Sequence, residues 1–151
     1  MKFTLAWLKE HLSTNATLED ILDALTDLGL EVESCLNPME KLGKFTVGEI
    51  IGTKKHPNAD RLKICHVLTD KGEKQIICGA PNARKGIKVV VAHPGDYIPG
   101  IDTTIKVGKI RGVESHGMMC SERELMLSDE HDGIIELQSI AEVGQKYLRY
   151  A

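Results

Sequence analysis

The feature that most constrains this chain is a change of period at Phe45. Before it, apolar residues recur at helical spacing; after it, they alternate with polar ones in short runs cut by glycines. Phe45 to Ile51 reads as a first strand. Leu62, Ile64, His66 and Leu68 alternate with Arg61, Lys63, Cys65 and Val67 as a second. Asp70-Lys71-Gly72-Glu73 reads as a turn into a third, Gln75 to Cys78. Ile87 to Ala92 is a short run of buried type, Thr104 to Val107 with Lys109 to Arg111 supplies another strand, and Ile134 to Leu137 closes the set. Gly48, Gly52, Gly79, Gly86, Gly95, Gly100, Gly108, Gly112 and Gly117 mark bends, bulges and turns. Short strands this closely spaced, over about 100 residues, argue for a small closed barrel rather than an α/β sheet.

The segment before the barrel is of another kind. Leu5, Leu8 and Leu12 fall at helical spacing with Trp7 beside them. Thr17 followed by Asp20 resembles a capping box, and Leu18, Ile21, Leu22, Leu25 and Leu28 then form one apolar stripe that Gly29 ends. Leu30, Val32 and Cys35 alternate with Glu31 and Glu33 as a short strand, and Asn37-Pro38 marks a break. The expected class is therefore mainly β with a small α/β appendage. Residues 1–40 form a helical–strand segment and residues 41–151 the barrel domain, whose body runs from roughly residue 44 to residue 148. A piece of about 40 residues is too small to hold a core alone. Its stripe requires a partner surface: the barrel, a second chain, or a segment outside these residues.

Charge narrows the partner. The net charge of -3 conceals a pattern: residues 1–43 carry -5, residues 44–112 carry +7 from 13 Lys/Arg against six Asp/Glu, and residues 113–151 carry -5. A basic middle between acidic ends fits a polyanion partner, and fits equally an ordinary solvated surface. The longest apolar run, Val89-Val90-Val91-Ala92, falls far short of the roughly 20 residues of a membrane helix, so no membrane partner is expected. Four cysteines without a CxxC pair, behind a start with no signal-peptide core, read as reduced thiols of a cytoplasmic protein.

Catalysis and metal binding find little support. No GxSxG elbow, HExxH or zinc-deaminase pattern is present, so no catalytic residue is expected within residues 1–151. His116 with Cys120 lacks two further ligands, and Asp129-Glu130-His131-Asp132-Gly133 lacks the spaced oxygens and final Glu of a calcium loop; no metal site is expected.

Three basic clusters remain. In His56-Pro57-Asn58-Ala59-Asp60-Arg61-Leu62, preceded by Lys55, Pro57 and Asn58 shape a tight loop. Arg61 and Lys63 then share one strand face, placed to meet phosphates or base edges. Gly79-Ala80-Pro81-Asn82-Ala83-Arg84-Lys85-Gly86 presents Asn82, Arg84 and Lys85 without the layout of a nucleotide phosphate loop. Lys106 to Met118 holds Lys109 and Arg111, expected on one strand face, and the Ser115 hydroxyl. Each cluster is also what a polar connecting loop looks like when it satisfies its own backbone. Aromatics are 4%, and the basic block holds only Phe45 and Tyr97. That is too few for a platform on which single strands stack, so binding through the phosphates, shape and 2′-hydroxyls of a folded RNA fits better.

Taken together, these clusters resemble the tRNA-binding OB-fold module. The resemblance rests on His56 to Leu62, on Ile76-Ile77-Cys78-Gly79-Ala80-Pro81-Asn82, on Arg111-Gly112-Val113-Glu114-Ser115-His116-Gly117-Met118 and on Leu127 to Ile134. The opening Met1 to Lys9 and Leu28-Gly29-Leu30-Glu31-Val32-Glu33 are similar to the start of the bacterial phenylalanine–tRNA ligase β subunit. Met126 departs from the family pattern, which more often has Gly before the Leu-Ser-Asp run. The resemblance implies a five-stranded Greek-key barrel that binds tRNA, with Lys55, Asn58, Arg61, Lys63, Asn82, Arg84, Lys85, Lys109, Arg111 and Ser115 as candidate contacts. It also implies a longer chain in an α2β2 assembly with an α subunit that performs aminoacylation using ATP and magnesium, none of which residues 1–151 would bind themselves. A stand-alone tRNA-binding protein and a structural OB module that joins domains, with weak RNA affinity, are the alternatives.

Overall fold

The computed structural model describes residues 1–151, with positions 38 and 39 described by their backbone alone. It divides into two units, Met1–Leu36 and Asn37–Ala151.

In the first unit, α1 (Leu5–His11) starts at Thr4, whose hydroxyl accepts from the Trp7 N–H at 3.1 Å. Helix α2 (Leu18–Asp27) has both halves of the capping box: the Asp20 N–H donates to Thr17 Oγ1 at 3.2 Å, and the Thr17 N–H to Asp20 Oδ2 at 3.1 Å. The Thr17 hydroxyl also donates to Asp20 Oδ2 at 2.8 Å, and this bond, with that from the Thr17 N–H, holds the Asp20 carboxyl below its usual range; the carboxylate complements the positive end of the helix dipole. Gly29, at φ +83°, ends the helix as expected. Along the apolar stripe Ile21 is buried, whereas Leu28 is 78% exposed. The strand expected over Leu30 to Cys35 does not form; residues 30–36 are exposed and, among the described residues, none pairs with them. Alternation alone does not make a strand. Its backbone groups need a ladder partner, and none is offered.

The second unit opens with α3 (Pro38–Leu42) and then builds a barrel. Strands β1 (Thr46–His56), β2 (Ala59–Thr69), β3 (Gly72–Cys78) and β4 (Lys88–Ala92) are antiparallel in the order β4-β1-β2-β3. After β4 come β5 (Tyr97–Ile98) paired with β6 (Thr103–Thr104), a hairpin of β7 (Gly108–Ile110) and β8 (Val113–Ser115), then β9 (Met118–Met119) and β10 (Glu136–Leu137). Closure is the work of one segment, residues 113–119. The His116 N–H donates to the Gln75 carbonyl on β3 at 2.8 Å, and Met118 and Met119 pair with Ala92 and Val91 on β4. The segment thereby links the edges of β3 and β4, with β10 pairing along the rest of β4, in a small barrel of OB type.

Strand β4 explains the apolar run Val89 to Ala92. Val89 and Val91 point inward to Ile50, Cys65, Val67, Ile76 and Met119. Val90 and Ala92 point outward into a second cluster with Phe45, Ile98, Cys120, Leu125 and Tyr147. A strand covered on both faces cannot alternate, and so reads as continuous hydrophobe. Gly48 is required by the same packing: a Cβ there would lie 2.6 Å from Val91 Cγ2 and 3.0 Å from Val67 Cγ1.

Candidate nucleic-acid interface

The first two strands run well past the expected ends, to His56 and from Ala59, and place the Pro57-Asn58 turn at one end of the barrel. In β2, Cys65 and Val67 are fully buried while His66 and Leu68 are exposed. Lys63 therefore lies on the inward face at the barrel mouth, with Arg61 two residues beyond it, exposed. Lys55 is the register partner of Lys63. Like charges directly opposed weaken a ladder, so this pairing concentrates positive charge at the mouth at some cost in stability. Lys63 offsets part of that cost by donating from Nζ to the Ala83 carbonyl at 2.8 Å.

The β1–β2 turn reaches across to the β7–β8 turn, more than 50 residues away in sequence. His56 Nε2 lies 2.9 Å from the Ile110 carbonyl oxygen, and Asn58 Nδ2 donates to the Arg111 carbonyl at 3.0 Å. Lys109 and Arg111 do not share a strand face as expected. Strand β7 ends at Ile110, and Arg111 (φ +54°) and Gly112 (φ +85°) form a two-residue hairpin turn, both left-handed. Arg111 carries its side chain from the tip, where it is exposed, and Lys109 faces Glu114 across the hairpin.

Asn82 and Arg84 sit in a different setting. The Asn82 carboxamide donates to the Ile134 carbonyl at 2.9 Å and to Glu136 Oε1 at 3.0 Å, and accepts from the Ile134 N–H at 3.0 Å. Arg84 makes a two-pronged pair with Glu136, at 2.7 and 2.9 Å. The bonds from Arg84 and Asn82 hold the Glu136 carboxyl below its usual range, and the same pairing raises that of the guanidinium. Ser115 is buried; its hydroxyl accepts from the Ile77 N–H at 3.1 Å and donates to the Gly117 carbonyl at 3.2 Å.

The ten candidates thus fall into two groups. Lys55, Asn58, Arg61, Lys63, Lys109 and Arg111 belong to the joined β1–β2 and β7–β8 turns and the strand ends that feed them. Asn82, Arg84 and Ser115 are engaged with the barrel's own loops and strands, and Lys85 stands exposed next to them. Among the described residues, the side chains of Lys55, Arg61, Lys85, Lys109 and Arg111 have neither a hydrogen bond nor an ion pair. The groove beside the hairpin mixes Lys106, Lys109 and Arg123 with Asp102, Glu124 and Asp132, so it offers no field of one sign. His56 was missed as a site residue. Its signal lies in the His-Pro-Asn order, which lets a ring nitrogen accept from the amide two residues on.

Residues 45–146 match the family model described as "Putative tRNA binding domain". The chain is 65% identical over 148 residues to the phenylalanine–tRNA ligase beta subunit of Ruegeria pomeroyi, covering 98% of this chain and 18% of that protein. To the same subunit of Brucella abortus it is 55% identical over 151 residues, covering 99% and 19%. The chain spans about a fifth of the length of these curated relatives. Among solved structures, the MetRS related protein from Pyrococcus horikoshii superposes with a TM-score of 0.53 at 20% identity, over 75% of this chain and 98% of that one, a likeness that bears on the fold alone. With the family model spanning well over half of the sequence, the chain belongs to the tRNA-binding domain family.

Proposed function

We propose that the barrel binds tRNA through the cations gathered at its β1–β2 and β7–β8 turns, as an accessory module of a phenylalanine–tRNA ligase β subunit. The observation that carries this reading is the union of the two turns. Lys55, Arg61, Lys109 and Arg111 come from segments far apart in sequence, are exposed and have no side-chain partner, on a domain of the tRNA-binding family. These turns correspond to the loops with which OB barrels meet nucleic acids. Exposed cations without partners are what phosphate contacts need, since a paired guanidinium must first give up its carboxylate. Lys63, Asn58, Asn82, Arg84 and Ser115 then hold the surface in shape, and Lys85 extends it.

By the same reading, the whole protein charges tRNA with phenylalanine in the cytoplasm, in an α2β2 assembly whose α subunit carries the aminoacylation site and uses ATP and magnesium. The segment of residues 1–40 is one part of a domain completed elsewhere in the assembly, which accounts for the exposure of Leu28 at the end of its stripe.

Binding of a phenylalanine-accepting tRNA transcript at two salt concentrations, beside an unstructured RNA of equal length, tests the proposal. Affinity for the tRNA should fall steeply with salt, because each neutralised phosphate releases counterions, and should exceed that for the unstructured RNA. Changing Arg111 to Ala should lower the salt slope by about one. Absence of tRNA binding at low salt would remove the proposal and favour a structural role, which co-elution with the α subunit would then report.

A further inference from the structure

We infer that His56 is a positioning residue whose neutral form locks the two turns together, so that acid weakens RNA binding at this site instead of strengthening it. The inference rests on the RNA-binding reading above but is argued from the ring alone. His56 is 5% exposed, and both of its nitrogens meet backbone groups. The Asn58 N–H donates to Nδ1 at 3.0 Å, so Nδ1 must be a bare acceptor. Nε2 lies 2.9 Å from the Ile110 carbonyl oxygen, which can only accept, so Nε2 must carry the proton. One protonation state alone satisfies both contacts: the neutral ring with hydrogen on Nε2.

A second proton must go on Nδ1. There it would stand against the Asn58 N–H, two donors 3.0 Å apart on a ring that is itself buried. The turn has to reopen to relieve this, and the turn also carries the Asn58 side chain that holds the Arg111 carbonyl. The charged groups on the elements around the ring are Lys54 and Lys55 on its own strand, Asp60 and Arg61 on β2, and Lys109, Arg111 and Glu114 on the hairpin. None of them bonds to the ring, so an added proton gains no partner there. Protonating an exposed histidine near a polyanion site draws the polyanion in. Protonating His56 releases the hairpin that presents Arg111 and Lys109.

The test is tRNA affinity of the 151-residue chain and its His56→Gln variant across about pH 8 to about pH 5, the range in which imidazoles change charge. Gln places an amide donor where Nε2 stands and does not titrate. The other histidines are common to both proteins, so the ratio of affinities isolates His56. Relative to the variant, the wild-type chain should weaken roughly fivefold toward acid, the equivalent of one backbone hydrogen bond lost from the clamp. A ratio independent of pH would overturn the inference. Amide resonances of the wild-type chain give a readout that requires neither RNA binding nor the variant's folding. Those of Asn58 and Gly112 should shift together with the His56 ring as it titrates. A Gly112 amide that stays still while the ring gains its proton would overturn the inference even where tRNA binding itself is absent.

Discussion

Asn82→Ala separates the residues that build the interface from those that use it. In the folded chain its carboxamide makes three hydrogen bonds, two to the backbone N–H and C=O of Ile134 and one to Glu136. Ile134 is only 8% exposed, and a Cβ on Gly133 would lie 2.6 Å from Asn82 Oδ1, so the loop is packed tightly onto this side chain. Truncation removes all three bonds and leaves two backbone groups short of partners, at about 1–3 kcal/mol apiece. Water entering the half-exposed gap recovers part of this, for a net loss of about 2–4 kcal/mol. In a unit of this size roughly 1 kcal/mol moves the midpoint by about 4 °C, so the thermal midpoint should fall by about 8–15 °C. Circular dichroism melts measure that fall. Titration with tRNA well below the new midpoint measures binding by folded molecules, which should change by less than about twofold, or about 0.4 kcal/mol. An unchanged midpoint would show that the network contributes no stability. A large loss of affinity in fully folded protein would return Asn82 to the contact surface.

Three further outcomes can be stated briefly. Burial pushes the Asp70 carboxyl up, but hydrogen bonds from His93 (2.7 Å) and Thr46 (3.3 Å), with the His93 charge, outweigh it and hold the group below the usual aspartate range. Its contribution to stability is therefore complete above that range and lost as pH falls through the lowered value, so Asp70→Asn should flatten the acid limb of a pH–stability curve while leaving the RNA surface alone. Met126 sits at φ +59° with 61% of its surface exposed; relief of about 1–2 kcal/mol of left-handed strain, less glycine's entropic cost of about 0.5–1 kcal/mol, should make Met126→Gly more stable by up to about 1.5 kcal/mol in urea titration. Cys65, pushed up to about 11 by burial, and the buried Cys78 and Cys120 should resist alkylation in the native chain, so one equivalent of iodoacetamide at exposed Cys35 and four after unfolding are expected by mass.

What the sequence could reveal was whatever depends on neighbours along the chain. The capping box of Thr17 and Asp20, the Gly29 stop and the strands at Phe45, Leu62 and Gln75 are written in residues a few positions apart, and each is found. Val89 to Ala92 was legible as buried because a strand covered on both faces leaves a continuous apolar run. The appendage strand failed for the complementary reason: alternation at Leu30 to Cys35 states what a strand would need and cannot supply its partner. The placement of Lys109 and Arg111 failed on turn chemistry. Arg-Gly is not among the Asn-Gly and Asp-Gly pairs that announce a two-residue hairpin, so the sequence pattern carries the strand one residue too far and gives Arg111 a face instead of a tip.

The interface itself could not be read locally. In sequence Lys55, Arg61, Lys109 and Arg111 look like Arg84, yet Arg84 is paired with Glu136, 52 residues later, and among the described residues these four are in no ion pair. The bond that gathers them, from Asn58 to the Arg111 carbonyl, spans 53 positions and ends on a backbone atom, which carries no side-chain signature at all. A motif such as His56-Pro57-Asn58 therefore signals two things that sequence cannot separate, a surface that touches a ligand and a brace that shapes it. Geometry separates them here. The residues whose hydrogen-bonding capacity is spent inside the chain hold loops and turns in place, and under the proposed function the cations left without partners are the ones that meet phosphate.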